Sequence, residues 1–207
     1  MRERPIPFSG PMVRAILDGS KMQTRRVVKW PATPDWHDWD YDPNLLREEK
    51  DGRMWPWTAH RDGFNRAIDR QLPCPYGAPG DRLWVKEAIR CFEWMDGGET
   101  SVEYVATPGE LHEDAEWVWK RDSLPGMFMP RGLSRLTLTI TDVRVERLQD
   151  ISRGDAMAEG CPFPNMAHGD NPTSWYQDLW NEINAARGFG WDTNPWVWVI
   201  SFARASQ

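Results

Sequence analysis

Residues 134–147 constrain this chain more than any other stretch. Leu136, Leu138, Ile140, Val143 and Val145 are separated by polar Thr and Arg, the period of two that a half-buried strand requires, and the alternation breaks near Asp142. A second strand is predicted over residues 196–202, where Trp196, Val197, Trp198, Val199 and Ile200 are apolar on both faces and so suit a central position in a sheet. Shorter strands are expected at 24–28, 82–86, 102–106 and 116–120.

Three helical segments accompany them. Between Phe8 and Gly19, a serine and a proline open a run with Met12, Val13, Ile16 and Leu17 on one face, and Gly19 supplies the stop. Ser152-Arg153-Gly154-Asp155 has the form of a capping box before Ala156, Met157, Ala158 and Glu159. Over 174–186, Trp175, Leu179, Trp180 and Ile183 recur at helical spacing. Residues 30–72 crowd Pro, Asp and Trp without a period and read as an irregular insertion with at most a short helix. Several short strands, few helices and no βαβ rhythm favour an α+β fold, a small barrel decorated by helices.

At 207 residues and 24.1 kDa the chain suits one domain. A mean hydropathy of -0.67 and the lack of any eighteen-residue apolar window exclude a membrane-spanning helix. The charged start, with no apolar run behind it, points to a cytoplasmic location. Cys74, Cys91 and Cys161 are odd in number and far apart, so they are expected to be reduced. Net charge is -6, which argues against bulk electrostatic coating of nucleic acid, but residues 1–30 carry seven basic side chains against two acidic ones. That focused charge suits a phosphate or a single nucleotide, or simply a solvated basic face. Fourteen of 25 aromatics are Trp, mostly for packing, with a minority available as a stacking wall.

Neither the cysteines nor His37, His60, His112 and His168 show zinc spacing, and no P-loop, GxSxG or GxGxxG is present, so no metal or cofactor is expected. What remains is Gly19-Ser20-Lys21-Met22-Gln23-Thr24-Arg25-Arg26, an amine, a hydroxyl and two guanidiniums just after a helix end. A hydroxyl becomes a nucleophile only beside a base, and an amine serves as that base only when neutral. Lysine near its ordinary value of about 10.4 would have to fall by roughly three pH units, at a cost of about 4 kcal/mol, for which burial and the neighbouring Arg25 and Arg26 are the available causes. On an ideal strand, residues three apart face opposite sides, so Lys21 and Thr24 converge only if the chain turns before the strand begins.

Gly19-x-Lys21-x-x-Thr24-x-Arg26 resembles the signature of the ASCH family, whose members adopt a PUA-like β-barrel associated with RNA and nucleoside recognition. Gly80-Asp81-Arg82-Leu83-Trp84-Val85-Lys86-Glu87, the strand ending Val143-Arg144-Val145-Glu146-Arg147-Leu148, the helix Asp155-Ala156-Met157-Ala158-Glu159-Gly160 and Trp198-Val199-Ile200-Ser201-Phe202 extend the likeness. The arrangement is similar to ASCH-like proteins of phages and prophages. It implies one ASCH-like domain over 1–207 with Trp-rich insertions at 30–72 and 90–128. Lys21, Thr24 and Glu159 match the positions that carry catalysis in bacterial N(4)-acetylcytidine amidohydrolases of that family. By that resemblance Thr24 is the nucleophile, Lys21 its base and Glu159 an acid or orienting group. Arg26, Arg25, Trp84 and Glu87 are then candidates for substrate binding, Glu87 having a salt bridge as its simpler role.

Two principal functions are expected from this. One is deacylation of an N(4)-acylated cytosine nucleoside through an acyl-threonine. The other is a non-catalytic module, in a phage or prophage, that binds RNA or a modified nucleotide through Lys21, Arg25, Arg26 and stacking indoles. An accessory role, in which the indoles anchor a host partner, is a third.

Overall fold

A computed structural model describes residues 1–30, 44–49, 54–61, 67–94, 99–112, 114–162 and 171–205. The predicted 134–147 strand is β10 (Thr137–Arg147), and its partner is β11 (Trp196–Arg204), paired antiparallel with a register shift between Ile140 and Asp142. The broken alternation in the sequence is thus a bulge, which lets apolar residues on either side of it face the core. With β1 (Glu3–Pro7), β2 (Gln23–Val27) and β6 (Arg82–Lys86), these strands form a five-stranded mixed sheet in the order β1-β6-β10-β11-β2. The interior place of β11 follows from its composition: Val197 to Ile200 are all buried.

β1 was not foreseen, because Pro5 and Pro7 each lack an amide hydrogen. They are tolerated because β1 is an edge strand, parallel to β6. Its end lies beside the other edge. α1 (Gly10–Leu17) carries the chain from β1 to β2, and the Arg26 guanidinium in β2 donates to the Pro7 carbonyl at 2.8 Å. The sheet therefore curls into a barrel-like form closed by a helix and a side chain. Its inside holds Ile6, Val13, Leu83, Leu138, Val143, Trp198 and Ile200. On its outside, α2 (Arg153–Ala158) and α3 (Pro172–Asn184) bury Ala156, Tyr176 and Trp180 against Val197 and Val199. The α+β architecture with flanking helices agrees with the sequence.

The two insertions differ from expectation. Within 30–72 the chain forms a three-stranded antiparallel sheet from β3 (Asn44–Glu48), β4 (Met54–Arg61) and β5 (Ala67–Gln71). A proline at the centre of β4 hid it, yet Pro56 is buried, and Trp55 packs on core Trp198 with ring centroids 5.6 Å apart. Cross-sheet packing supplies what local propensity does not. Trp36 and Trp39 lie outside the described residues. In the second insertion β7 (Ile89–Glu93), β8 (Thr100–Tyr104) and β9 (Ser123–Leu124) form a further small sheet. The strand predicted at 116–120 is absent. Trp117 and Trp119 instead pack edge-to-face at 4.9 Å over the cluster of Ile89, Val102, Tyr104 and Leu124. Among the described residues no helix is long and apolar enough to cross a membrane.

Candidate active site

The helix stop at Gly19 has φ +82°, the left-handed region that glycine enters without strain. The turn it permits sends the Lys21 amide to the Ala15 carbonyl at 2.9 Å and the Met22 amide to Ala158 at 2.8 Å. Lys21 and Glu159, at the end of α2, form an isolated antiparallel bridge. Gly160 makes the contact close: a Cβ there would lie 3.1 Å from the Ala15 Cβ and 3.2 Å from the Lys21 Cβ. The chain therefore turns before β2 begins, and Lys21 and Thr24 both become buried despite their spacing of three.

The Lys21 side chain is fully enclosed. Its amine donates to the Glu159 carbonyl at 2.8 Å and to Glu159 Oε2 at 2.7 Å. Burial pulls the amine below the ordinary lysine range; Glu159 opposes this, while Arg26 and Arg25 add to it. Glu159 is itself 3% exposed, and its Oε1 lies 3.3 Å from Arg25 Nη1. Arg25 in turn donates to Gln23 Oε1 at 2.7 Å and to Glu146 Oε1 at 2.5 Å. Arg144 closes the network by bridging Glu146 and Asp155. Such a lattice leaves the carboxylate of Glu159 fixed between the Lys21 amine and the Arg25 guanidinium rather than free to rotate.

Thr24, Arg25, Arg26, Lys29, Glu159, Tyr176 and Arg187 are on the wall of a cavity of about 340 Å³ between β2 and α3. A wider one of about 830 Å³ adjoins it, shares Arg26, Glu159 and Arg187, and extends along α1 past Trp175 and Met127. These volumes fall within the span of about 300–1,000 Å³ usual for small-molecule sites. The Thr24 hydroxyl makes no hydrogen bond among the described residues; the Lys21 amine is engaged with Glu159 rather than with it. Burial drives the Tyr176 hydroxyl well above its usual value, so this wall is neutral phenol, with the Arg25 guanidinium 5.8 Å over its ring.

Of the seven residues expected at the site, five gather here: Lys21, Thr24, Arg25, Arg26 and Glu159. Trp84 and Glu87 do not line either cavity. Trp84 is flanked by Lys86 and Arg131, and buried Glu87 is held by Arg135 through two bonds of 2.9 and 2.8 Å. The reason is positional: β6 is separated from β2 by β10 and β11 in the sheet. Sequence reasoning missed Tyr176 and Arg187. Tyr176 follows the helical apolar face one residue beyond Trp175, and that face is the signal that could have found it. Among the described residues no group of three or more His, Cys, Asp or Glu could hold a metal ion.

The fold and this cavity define a small α+β barrel-like domain with an enclosed lysine–carboxylate pair beside an accessible pocket. No protein-family model matches the chain, and no curated protein matches it. Among solved structures, it is similar to one titled as the high-resolution crystal structure of an ASCH domain from Lactobacillus crispatus JV V101. That likeness spans 98% of this chain and 79% of that one, at 12% identity and a TM-score of 0.41.

Proposed function

We propose that the chain is an amidohydrolase that deacylates N(4)-acylated cytosine nucleosides, N(4)-acetylcytidine being the simplest. The observation that carries this is the enclosed Lys21 amine, 2.7 Å from the carboxylate of Glu159, a residue that shares with Thr24 the wall of a nucleoside-sized cavity. The neutral Lys21 amine removes the Thr24 proton, and the hydroxyl oxygen attacks the amide carbonyl carbon. The tetrahedral species collapses as the C–N bond breaks and the exocyclic nitrogen takes a proton from the Lys21–Glu159 pair. Water then attacks the acyl-threonine ester, releasing the carboxylic acid and restoring the hydroxyl. Arg26 and Arg25 supply positive charge near the developing oxyanion, and Tyr176 and Trp180 offer rings against which a pyrimidine can rest.

Incubation with N(4)-acetylcytidine, followed by chromatography for cytidine, tests this directly. Turnover by the unaltered protein is expected to fall about 10²-fold or more in both Thr24→Ala and Lys21→Ala. Absence of cytidine release, or release that survives both substitutions, would remove the mechanism. A second reading, binding of RNA or a modified nucleotide without chemistry, is favoured by Arg26, Lys29 and Arg187 around the same cavity. Under that reading, affinity for a short RNA weakens steeply with added salt and with Arg26→Ala while no product forms.

A further inference from the structure

The motif around residues 80–87 contributes nothing to the cavity beside Thr24, yet its arginine lies in a pocket of its own. This third pocket, about 320 Å³, is lined by residues that include Arg82, Arg131, Ser134, Arg135, Thr137 and Arg204. Four arginines from three segments, β6, β11 and the stretch before β10, line it, in a chain of net charge -6. Two of them are already clamped. Arg131 grips Glu3 through bonds of 3.0 and 2.9 Å. Arg135 grips Glu87, reaches Thr107 and Glu110 at 2.8 and 2.5 Å, and lies 4.0 Å over the Tyr104 ring. These contacts engage all three nitrogens of Arg135 and hold it in place, so it forms wall and field.

Arg82 and Arg204 are different. Both side chains are exposed, and neither guanidinium makes a hydrogen bond or ion pair among the described residues. Arg82 pairs with Thr139 and Arg204 with Leu138, adjacent residues of β10 that face opposite sides of the sheet, so the two side chains reach the pocket from different faces. Three carboxylates, Glu3, Glu87 and Glu110, answer four guanidiniums, and all three are bound to Arg131 and Arg135. Glu3 also acts on Arg82 and Glu110 on Arg204, so the pocket carries an excess of one positive charge shared among its four arginines. Forked donors on a preformed rim match the oxygens of a tetrahedral oxyanion.

We propose that this pocket binds a phosphate group, with Arg82 and Arg204 as its direct ligands and Arg131 and Arg135 as the charged walls. Its volume suits a phosphate with a small organic group attached, not a polymer. The test is calorimetric titration with inorganic phosphate and, separately, with glycerol 3-phosphate, at fixed low ionic strength. Saturable binding is expected, weakened about tenfold or more in the Arg82→Gln/Arg204→Gln double variant and unaltered in Arg187→Ala, which changes the other cavity. Because both glutamines replace exposed side chains, circular dichroism should show the double variant folded. Tighter binding of the ester assigns a small organic phosphate, and equal binding assigns free phosphate. Either probe failing to saturate in both arms, binding retained in the double variant, or binding lost on Arg187→Ala alone overturns the proposal.

Discussion

At the scale of single residues, the chemistry turns on whether Lys21 can be neutral. Burial and the two adjoining arginines hold its amine below the ordinary lysine range, against the pull of Glu159. A base works only in its deprotonated form, so activity must rise with pH through the amine's own titration. The rising limb of kcat/KM should therefore lie below about 10.4, the value of a free lysine, and vanish in Lys21→Ala. A profile that is flat, or that rises only at ordinary lysine values, would show that another group accepts the proton. The residues that take part were largely legible beforehand. Gly19, Lys21 and Thr24 stood out in one short stretch, Glu159 came only from the family resemblance, and the positive φ of Gly19 was implied by its place after a helix. That the lysine would bond to the glutamate instead of the threonine was not legible, since it depends on how closely α2 approaches.

At the scale of elements, α2 shows how a short helix is held by charge. It opens with the capping box foreseen in the sequence: Ser152 accepts from the Asp155 amide, and the Asp155 side chain returns to the Ser152 amide. Burial alone would raise the Asp155 carboxyl, but hydrogen bonds from Ser152 and Gln23 and the charges of Arg25 and Arg144 outweigh it, holding it at about 2. Its unfolded value is about 3.9, so this carboxylate stabilises the fold fully above that pH and loses its contribution as pH falls through about 2. Hydrogen exchange of the α2 amides should accelerate over that window in the unaltered protein. In Asp155→Asn the extra acid sensitivity of these amides should be gone, and loss of the charge facing Arg144 and Arg25 should lower stability at neutral pH while the Ser152 cap remains. Exchange with the same pH dependence in both proteins would assign the effect to other carboxylates. Elements with strong local signals, α1, α2, α3, β10 and β11, were readable, while β3, β4 and β5 were not. Pro56 argues against a strand, and only the contact of Trp55 with Trp198 reverses that argument.

For the molecule as a whole, Glu87 and Arg135 join the barrel-like sheet to the smaller one. Glu87 follows β6, Arg135 precedes β10, and the guanidinium rests on Tyr104 of β8. Glu87 is 1% exposed, and removing it takes away both bonds it makes to Arg135, leaving Glu110 as that arginine's carboxylate partner. Glu87→Ala should destabilise the protein by about 3–5 kcal/mol in urea unfolding. Glu3→Ala, which breaks the exposed pair with Arg131, should cost only about 0–1 kcal/mol. Similar losses in the two variants would mean that the buried pair contributes no more than a surface one. Deacylation by folded Glu87→Ala protein should persist, because the pair lies away from Thr24. By itself, the sequence determined where α1, α2, α3, β10 and β11 lie and where the long strand breaks, because these follow from residue periods and caps within a few positions. Only the tertiary structure decided that Lys21 meets Glu159, 138 positions away, that Tyr176 and Arg187 complete the cavity, and that Glu87 clamps an arginine instead of a substrate. Contacts between distant segments depend on the packing of whole elements and the closure of the sheet, and no local pattern of side chains records them.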